Sequence, residues 1–152
     1  MAERRPLVHE KLTRSLIGGF FESYNHIGFG FVEPICTSAL ELEFIARGHK
    51  VEREVSVQVF YKGKPVGWQR MDMLVDDVVI VEVKSTPILS PNARLQLRSY
   101  MKATKLQVGL LFHFGPRPMF FREYSSANKF QAPNRPNPLD LPNPKTQFVD
   151  TE

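Results

Sequence analysis

The sequence predicts an α/β fold, a mixed β-sheet core flanked by helices. Three observations carry this. Two N-terminal stretches repeat apolar residues at helical spacing, later stretches alternate or run apolar as strands do, and a basic helical stretch lies between two apolar strands. That strand–helix–strand segment, from Val78 to Phe114, implies a right-handed parallel crossover beside an otherwise antiparallel hairpin.

A chain of 152 residues suffices for one domain with a real core. Hydrophobic content of 42% and charged content of 24% exclude disorder of the whole chain. The formal net charge of +4 fits a polyanionic partner. Cys36 stands alone, so an internal disulfide is excluded and a reducing compartment expected; with His9, His26 and His49 scattered, no zinc spacing arises. No apolar run reaches the roughly 18 residues that span a bilayer. The opening Met1-Ala-Glu-Arg-Arg-Pro lacks the apolar stretch of an export signal. These features predict a soluble, cytoplasmic protein with no membrane partner.

His9 to His26 predicts the first helix, with Leu12, Leu16, Phe20 and Tyr24 on one stripe and Gly18-Gly19 allowing a close neighbour. Phe31 to about Arg47 predicts the second. Pro34 and Glu33 suit its first turn, and Gly48 its end. Val51 to Tyr61 alternates as a strand with one wet face. Lys62-Gly63-Lys64-Pro65 then turns the chain back through Trp68 and Arg70. After Pro87 and Pro91 a third helix, capped by Asn92 or Ser90, runs to about Lys105. Arg94, Arg98, Lys102 and Lys105 make it the most basic helix of the chain. Leu106 to Phe114 reads as an apolar strand and Met119 to Tyr124 as a short edge strand. Residues 1–125 therefore form the folded domain, and 126–152, rich in Pro and Asn, an irregular, extended or disordered tail.

The chemistry concentrates between Arg70 and Lys84. Val78 to Val83 is a buried strand by composition, yet it carries Glu82, with Asp72 on the strand before it and Lys84 two residues on. Burying unpaired charge costs several kcal/mol or more, so two carboxylates converging there would want a divalent cation. The same residues also fit a surface ion pair, Glu82–Lys84, with Asp72 capping a turn; Glu33 fits a simple helix-terminus effect. A two-residue turn at Asp76-Asp77 would set Asp72 opposite Val81 and leave Glu82 on the other face. A shared metal therefore requires an odd loop or a bulge, and the simple hairpin is expected to be wrong.

Taken together, Gly30-Phe-Val-Glu33-Pro-Ile-Cys36, Arg70-Met-Asp72, Glu82-Val-Lys84, Gln96-Leu-Arg-Ser-Tyr100 and Val108 to Gly115 resemble the GxxExxY family, a branch of the PD-(D/E)XK nucleases. The resemblance runs from about Leu12 to Tyr124. It departs where Cys36 replaces the signature tyrosine and where His113 replaces the usual asparagine. His113 has two readings, a residue approaching the site from its strand end or one packed in the core.

The resemblance implies a restriction-endonuclease-like core that cuts phosphodiester bonds of nucleic acid, DNA first, with Mg2+ or Mn2+. Asp72, Glu82 and the carbonyl of Val83 would hold the metal. Lys84 would orient the attacking water, acting as a cation rather than a base. Glu33 would bind a second metal or a metal-bound water. Gln96 and Tyr100 would support the site and contact nucleic acid, and Arg70, Arg94, Arg98 and Lys102 would contact phosphates. Superfamily members often act as homodimers or in larger assemblies, which the resemblance extends to this chain. The competing expectations are a catalytically inactive nucleic-acid-binding or assembly module of the same fold, and a ribonuclease.

Overall fold

The computed structural model describes residues 6–128. The tail expected from residue 126 therefore lies, beyond Asn128, outside the described residues. In chain order the elements are α1 (Glu10–Ile27), α2 (Glu33–Ala46), β1 (Val51–Tyr61), β2 (Lys64–Val75), β3 (Val79–Lys84), α3 (Asn92–Thr104), β4 (Val108–Phe114) and β5 (Pro118–Tyr124).

The strands form a five-stranded sheet in the order β1-β2-β3-β4-β5. β3 and β4 pair in parallel, and the other neighbours are antiparallel. The crossover through α3 is thus the one parallel step among them, as the strand–helix–strand pattern predicts. Helices cover both faces. Leu16, Phe20, Leu40 and Phe44 from α1 and α2 pack on Val79, Val81, Val83, Leu110 and Phe112. Ala93, Leu97, Tyr100 and Met101 of α3 pack on Leu74, Ile80 and Leu111 on the other side. β3 and β4 therefore lie between two apolar layers, which is why they read as continuous β-branched and aromatic runs.

The paired glycines of α1 act as their sequence suggests. A Cβ on Gly19 would stand 3.0 Å from the Phe44 ring, and one on Gly18 would stand 3.1 Å from the Arg47 guanidinium. Their absence lets α2 lie close. The N-cap of α3 is Pro91, which neither expected residue supplies and which makes no side-chain cap; Ser90 just before it accepts the Asn92 N–H through Oγ at 3.2 Å. Pro118 is tolerated because it opens an edge strand.

β1 departs from the expectation of one wet face. Val51 packs with the α1/α2 layer, whereas Val55 and Val57 pack with the α3 layer. The switch falls at Glu54, whose φ of 53° is left-handed. One residue out of extended conformation exchanges the faces of those that follow.

Candidate active site

The β2–β3 turn decides which side chains meet. Asp76 and Asp77 have φ of 50° and 62°, and the Val78 N–H donates to the Val75 carbonyl at 3.1 Å. This is the backbone of a two-residue hairpin turn, and Asp is among the few non-glycine residues that tolerate it. Yet the ladder pairs Val75 with Val79, Leu74 with Ile80 and Met73 with Val81. Val78 is an extra residue, a bulge after the turn. Extending the register by one step sets Asp72 opposite Glu82, on one face of the sheet. The simple hairpin is indeed wrong, in the direction that brings the two acids together.

The carboxylates then take over the ladder. Glu82 Oε1 accepts the Asp72 N–H at 3.2 Å, and Asp72 Oδ2 accepts the Val83 N–H at 2.8 Å. Each acid thus braces the other strand's backbone, so the pair is held to the sheet itself.

A polar chain fixes the turn from outside. Asp76 Oδ1 accepts the Lys50 N–H at 2.8 Å, and the Asp76 N–H returns to the Lys50 carbonyl at 2.9 Å. His49 bridges onward, with Nδ1 2.8 Å from Asp76 Oδ2 and Nε2 2.7 Å from Ser15 Oγ. The order Ser–His–Asp matches a hydrolase relay. However, Ser15 lies inside α1, whose N–H groups are engaged in the helix, so no backbone oxyanion hole accompanies it. Its service is structural: it ties α1 to the turn that sets the register. Single-sequence reasoning missed this chain because its members are 34 and 27 residues apart.

Glu82 is 2% exposed. Burial, and then the negative charge of Asp72, push its carboxyl up to about 8. Burial also raises Asp72, against the opposing pull of the Val83 N–H and Lys84. Glu33, in the first turn of α2, is raised by burial and then by Asp72, and Lys84 offsets this in part. Lys84 Nζ lies 3.7 Å from Glu82 Oε2. Tyr100, buried on α3, is raised by burial and then by the charges of Glu82 and Asp72, and Gln96 hydrogen-bonds to it. Six of the sequence-derived residues (Glu33, Asp72, Glu82, Lys84, Gln96 and Tyr100) therefore share one electrostatic neighbourhood, and Val83 joins them through its backbone.

The arginines separate. Arg70 is exposed on β2 and acts electrostatically on Asp72 and Tyr100. Arg53, which the sequence did not single out, lines a cavity of about 120 Å³ with Glu33, Thr37, Glu54, Arg70 and Asp72. Arg94 and Arg98 turn the other way. Their Nε atoms meet the two oxygens of buried Glu123 at 2.6 and 3.1 Å, and the Arg94 guanidinium lies 4.6 Å over the Phe121 ring. Lys102 is exposed in the last turn of α3. His113 is packed in the core, 3% exposed, with Nε2 donating to the Thr86 carbonyl at 2.7 Å. Beside Lys84, a cleft of about 440 Å³ is lined by Thr86, Ile88, Leu89, Asn92 and Gln96 among others.

The donor set is all oxygen. Among the described residues, no three His, Cys, Asp or Glu side chains gather into a group that would hold a metal ion. A hard cation such as Mg2+ does not require one, since it is commonly held by one or two carboxylates and keeps several waters. The Asp72–Glu82 pair fits that pattern.

Comparison with known proteins agrees with this geometry. The model of the PD-(D/E)XK nuclease superfamily matches residues 10–123. Among solved structures, the chain resembles one titled "Crystal structure of SSO0001", at 18% identity and a TM-score of 0.51, covering 76% of this chain and 59% of that one. That likeness shows a shared fold. It also overlaps an alkaline exonuclease (LHK-Exo) from Laribacter hongkongensis, at 15% identity and a TM-score of 0.41, covering 55% of this chain and 51% of that one. This second overlap is too slight to carry an argument. The chain thus spans somewhat over half the length of these two proteins. No curated protein matches it. Among the described residues, no helix is long and apolar enough to cross a membrane. With the family match over three quarters of its length and a mixed sheet bearing the Asp72, Glu82-Val83-Lys84 constellation, the chain belongs to the PD-(D/E)XK nuclease superfamily.

Proposed function

We propose that this chain is a metal-dependent nuclease of the GxxExxY branch, cleaving phosphodiester bonds of nucleic acid, most directly DNA. One observation supports the reading: Asp72 and a buried Glu82 each accept a backbone N–H of the other's strand, and Lys84 Nζ lies 3.7 Å from Glu82. Burial of Glu82 beside a half-buried Asp72 raises both carboxyls, so both are ionised together at neutral pH only when further positive charge joins Lys84. A hard cation is the partner that would supply it.

Asp72, Glu82 and the Val83 carbonyl would hold Mg2+ or Mn2+. When bound, the ion would activate water and stabilise negative charge on the phosphoryl oxygens. Lys84 would hold the nucleophile and offset charge on the scissile phosphate. Glu33 would accept from a metal-bound water. The Asp72 and Glu82 carboxylates accept backbone N–H groups, which keeps their lone pairs aimed and limits reorganisation during reaction. Gln96 would hold the hydroxyl of Tyr100, which packs in the α3 layer and lies within electrostatic reach of Glu82 and Asp72. Arg70 and Lys102 are exposed and available to phosphates. Arg94 and Arg98 would contact them only through the parts not bound to Glu123.

The test is incubation of the full chain with labelled single- and double-stranded DNA and RNA, in Mg2+, Mn2+ or EDTA. Metal-dependent cleavage that Asp72→Ala and Lys84→Ala abolish is the expected result. No cleavage in any metal, or variants that cut as wild type does, would leave a nucleic-acid-binding module of the same fold.

A further inference from the structure

One side of the centre carries exposed apolar surface, apart from the Arg53 and Arg70 side. The Gly28–Val32 connection between α1 and α2 leaves Phe29 44% exposed, Phe31 47% and Val32 63%. Gly28 and Gly30, at φ of 63° and 122°, supply the backbone that turns these side chains outward. The loop is stapled at both ends. The Gly28 N–H donates to the Tyr24 carbonyl at 2.7 Å, and Ser85 Oγ donates to the Phe31 carbonyl at 2.5 Å. Ser85 follows Lys84 directly, so the loop stands beside the end of β3. Lys84 also lines the 440 Å³ cleft, whose wall includes Leu89 and an Ile88 that is 83% exposed.

A cation flanked by exposed aromatic and aliphatic surface matches one kind of substrate piece: a phosphate joined to a flat apolar group. A nucleotide is that piece, but only an unpaired one offers its base face, since in a duplex both faces are stacked. The charge pattern points the same way. Arg94 and Arg98, two of the four basic residues at Arg94, Arg98, Lys102 and Lys105, are drawn onto Glu123. We propose that Phe29 and Phe31, with Ile88 of the cleft that Lys84 lines, form a stacking platform for unpaired nucleobases, so that the strand entering the centre is single-stranded. This rests on the reading of Asp72, Glu82 and Lys84 as a phosphodiester-cleaving centre.

Binding of the full chain in EDTA, where cleavage is absent, separates the two ideas. The probes are a fluorescent oligothymidine, the same strand carrying abasic sites, and a blunt duplex, read by anisotropy. The intact strand is expected to bind about tenfold tighter than either of the others, because stacking contributes roughly 1–3 kcal/mol per base, or about five- to 150-fold. Phe29→Ala with Phe31→Ala is expected to lose fivefold or more on the intact strand, by the low end of that range, and nothing on the abasic one. Ile88→Ala, at a site too exposed to endanger folding, is expected to lose less in the same direction. Equal binding of intact and abasic strands, or variants that bind the intact strand as wild type does, overturns the platform. Cleavage without preference for unpaired strands overturns it too, and leaves the nuclease reading standing. The expected binding preference without cleavage in any metal upholds the platform and overturns the nuclease reading.

Discussion

At the scale of single residues, Glu82 sets the terms. Its carboxyl ordinarily titrates near 4.5 and in the folded protein is pushed to about 8. Between those values the folded state holds a proton that the unfolded chain has released. This contribution to stability is fully present below 4.5 and is lost as pH rises through 8. Asp72 and Glu33 are raised as well and act in the same direction. Metal-free protein in EDTA is therefore expected to melt at lower temperature at pH 8.5 than at pH 5 on their account. Glu82→Gln should flatten that slope, measured as a pH series of thermal melts. The same substitution, like Asp72→Asn, is expected to cut cleavage about 100-fold or more, the size of loss seen when one preorganised electrostatic group is removed. Variants that cleave normally would show that the pair serves only the sheet.

At the scale of elements, the β2–β3 hairpin carries the decisive geometry. Deleting Val78 would leave the Asp76-Asp77 turn intact, with Val79 following it directly and still opposite Val75, so Asp72 and Glu82 should keep a common face and cleavage should survive. A residue inserted after Val78 should instead slip β3 by one, turn Glu82 to the other face and abolish cleavage while the far-ultraviolet circular dichroism stays near native. Asp76→Val should weaken the hairpin by about 1–3 kcal/mol, because a β-branched side chain fits a left-handed turn poorly. Where β4 meets α3, a Cβ on Gly109 would lie 2.6 Å from Leu97 Cδ1. Gly109→Ala is accordingly expected to cost about 1–3 kcal/mol by overpacking, read as a lower denaturation midpoint.

Much of this architecture was legible in the sequence. β-branched runs and turn residues marked β1 over the span it occupies and β3 from one residue beyond the predicted start. The need to bring Asp72 to Glu82 exposed the bulge in advance, as a matter of parity along a strand. Three features were not legible. The face switch at Glu54 depends on one left-handed residue with no glycine to signal it. The Ser15–His49–Asp76 chain joins residues that sequence spacing cannot relate. The diversion of Arg94 and Arg98 depends on Glu123, whose place beside α3 follows only from the β4–β5 pairing. Long-range partners decide these cases, and local pattern does not contain them.

For the whole molecule, the sheet divides two unequal packing layers. The α1/α2 layer is aromatic, with Phe20 stacked 4.7 Å from Phe112 and edge-on to Phe114 at 5.1 Å. Phe20→Ala should cost about 3–5 kcal/mol. Metal that binds only the folded state should raise stability with concentration, by about 2.7 kcal/mol at a hundred times its dissociation constant. A melting temperature that ignores Mg2+ and Mn2+ would count against the metal assignment.

Glu123, buried under two arginines, also governs how the molecule should respond to salt. Each phosphate that a protein cation neutralises releases condensed counterions, and affinity falls with ionic strength in proportion to their number. With Arg94 and Arg98 partly cancelled from within, binding to nucleic acid should depend only shallowly on salt. Glu123→Gln would free both, steepening the dependence by about 0.7–0.9 logarithmic units per phosphate gained. One carboxylate on an edge strand would thus set the share of affinity drawn from the ionic atmosphere and the share drawn from contact.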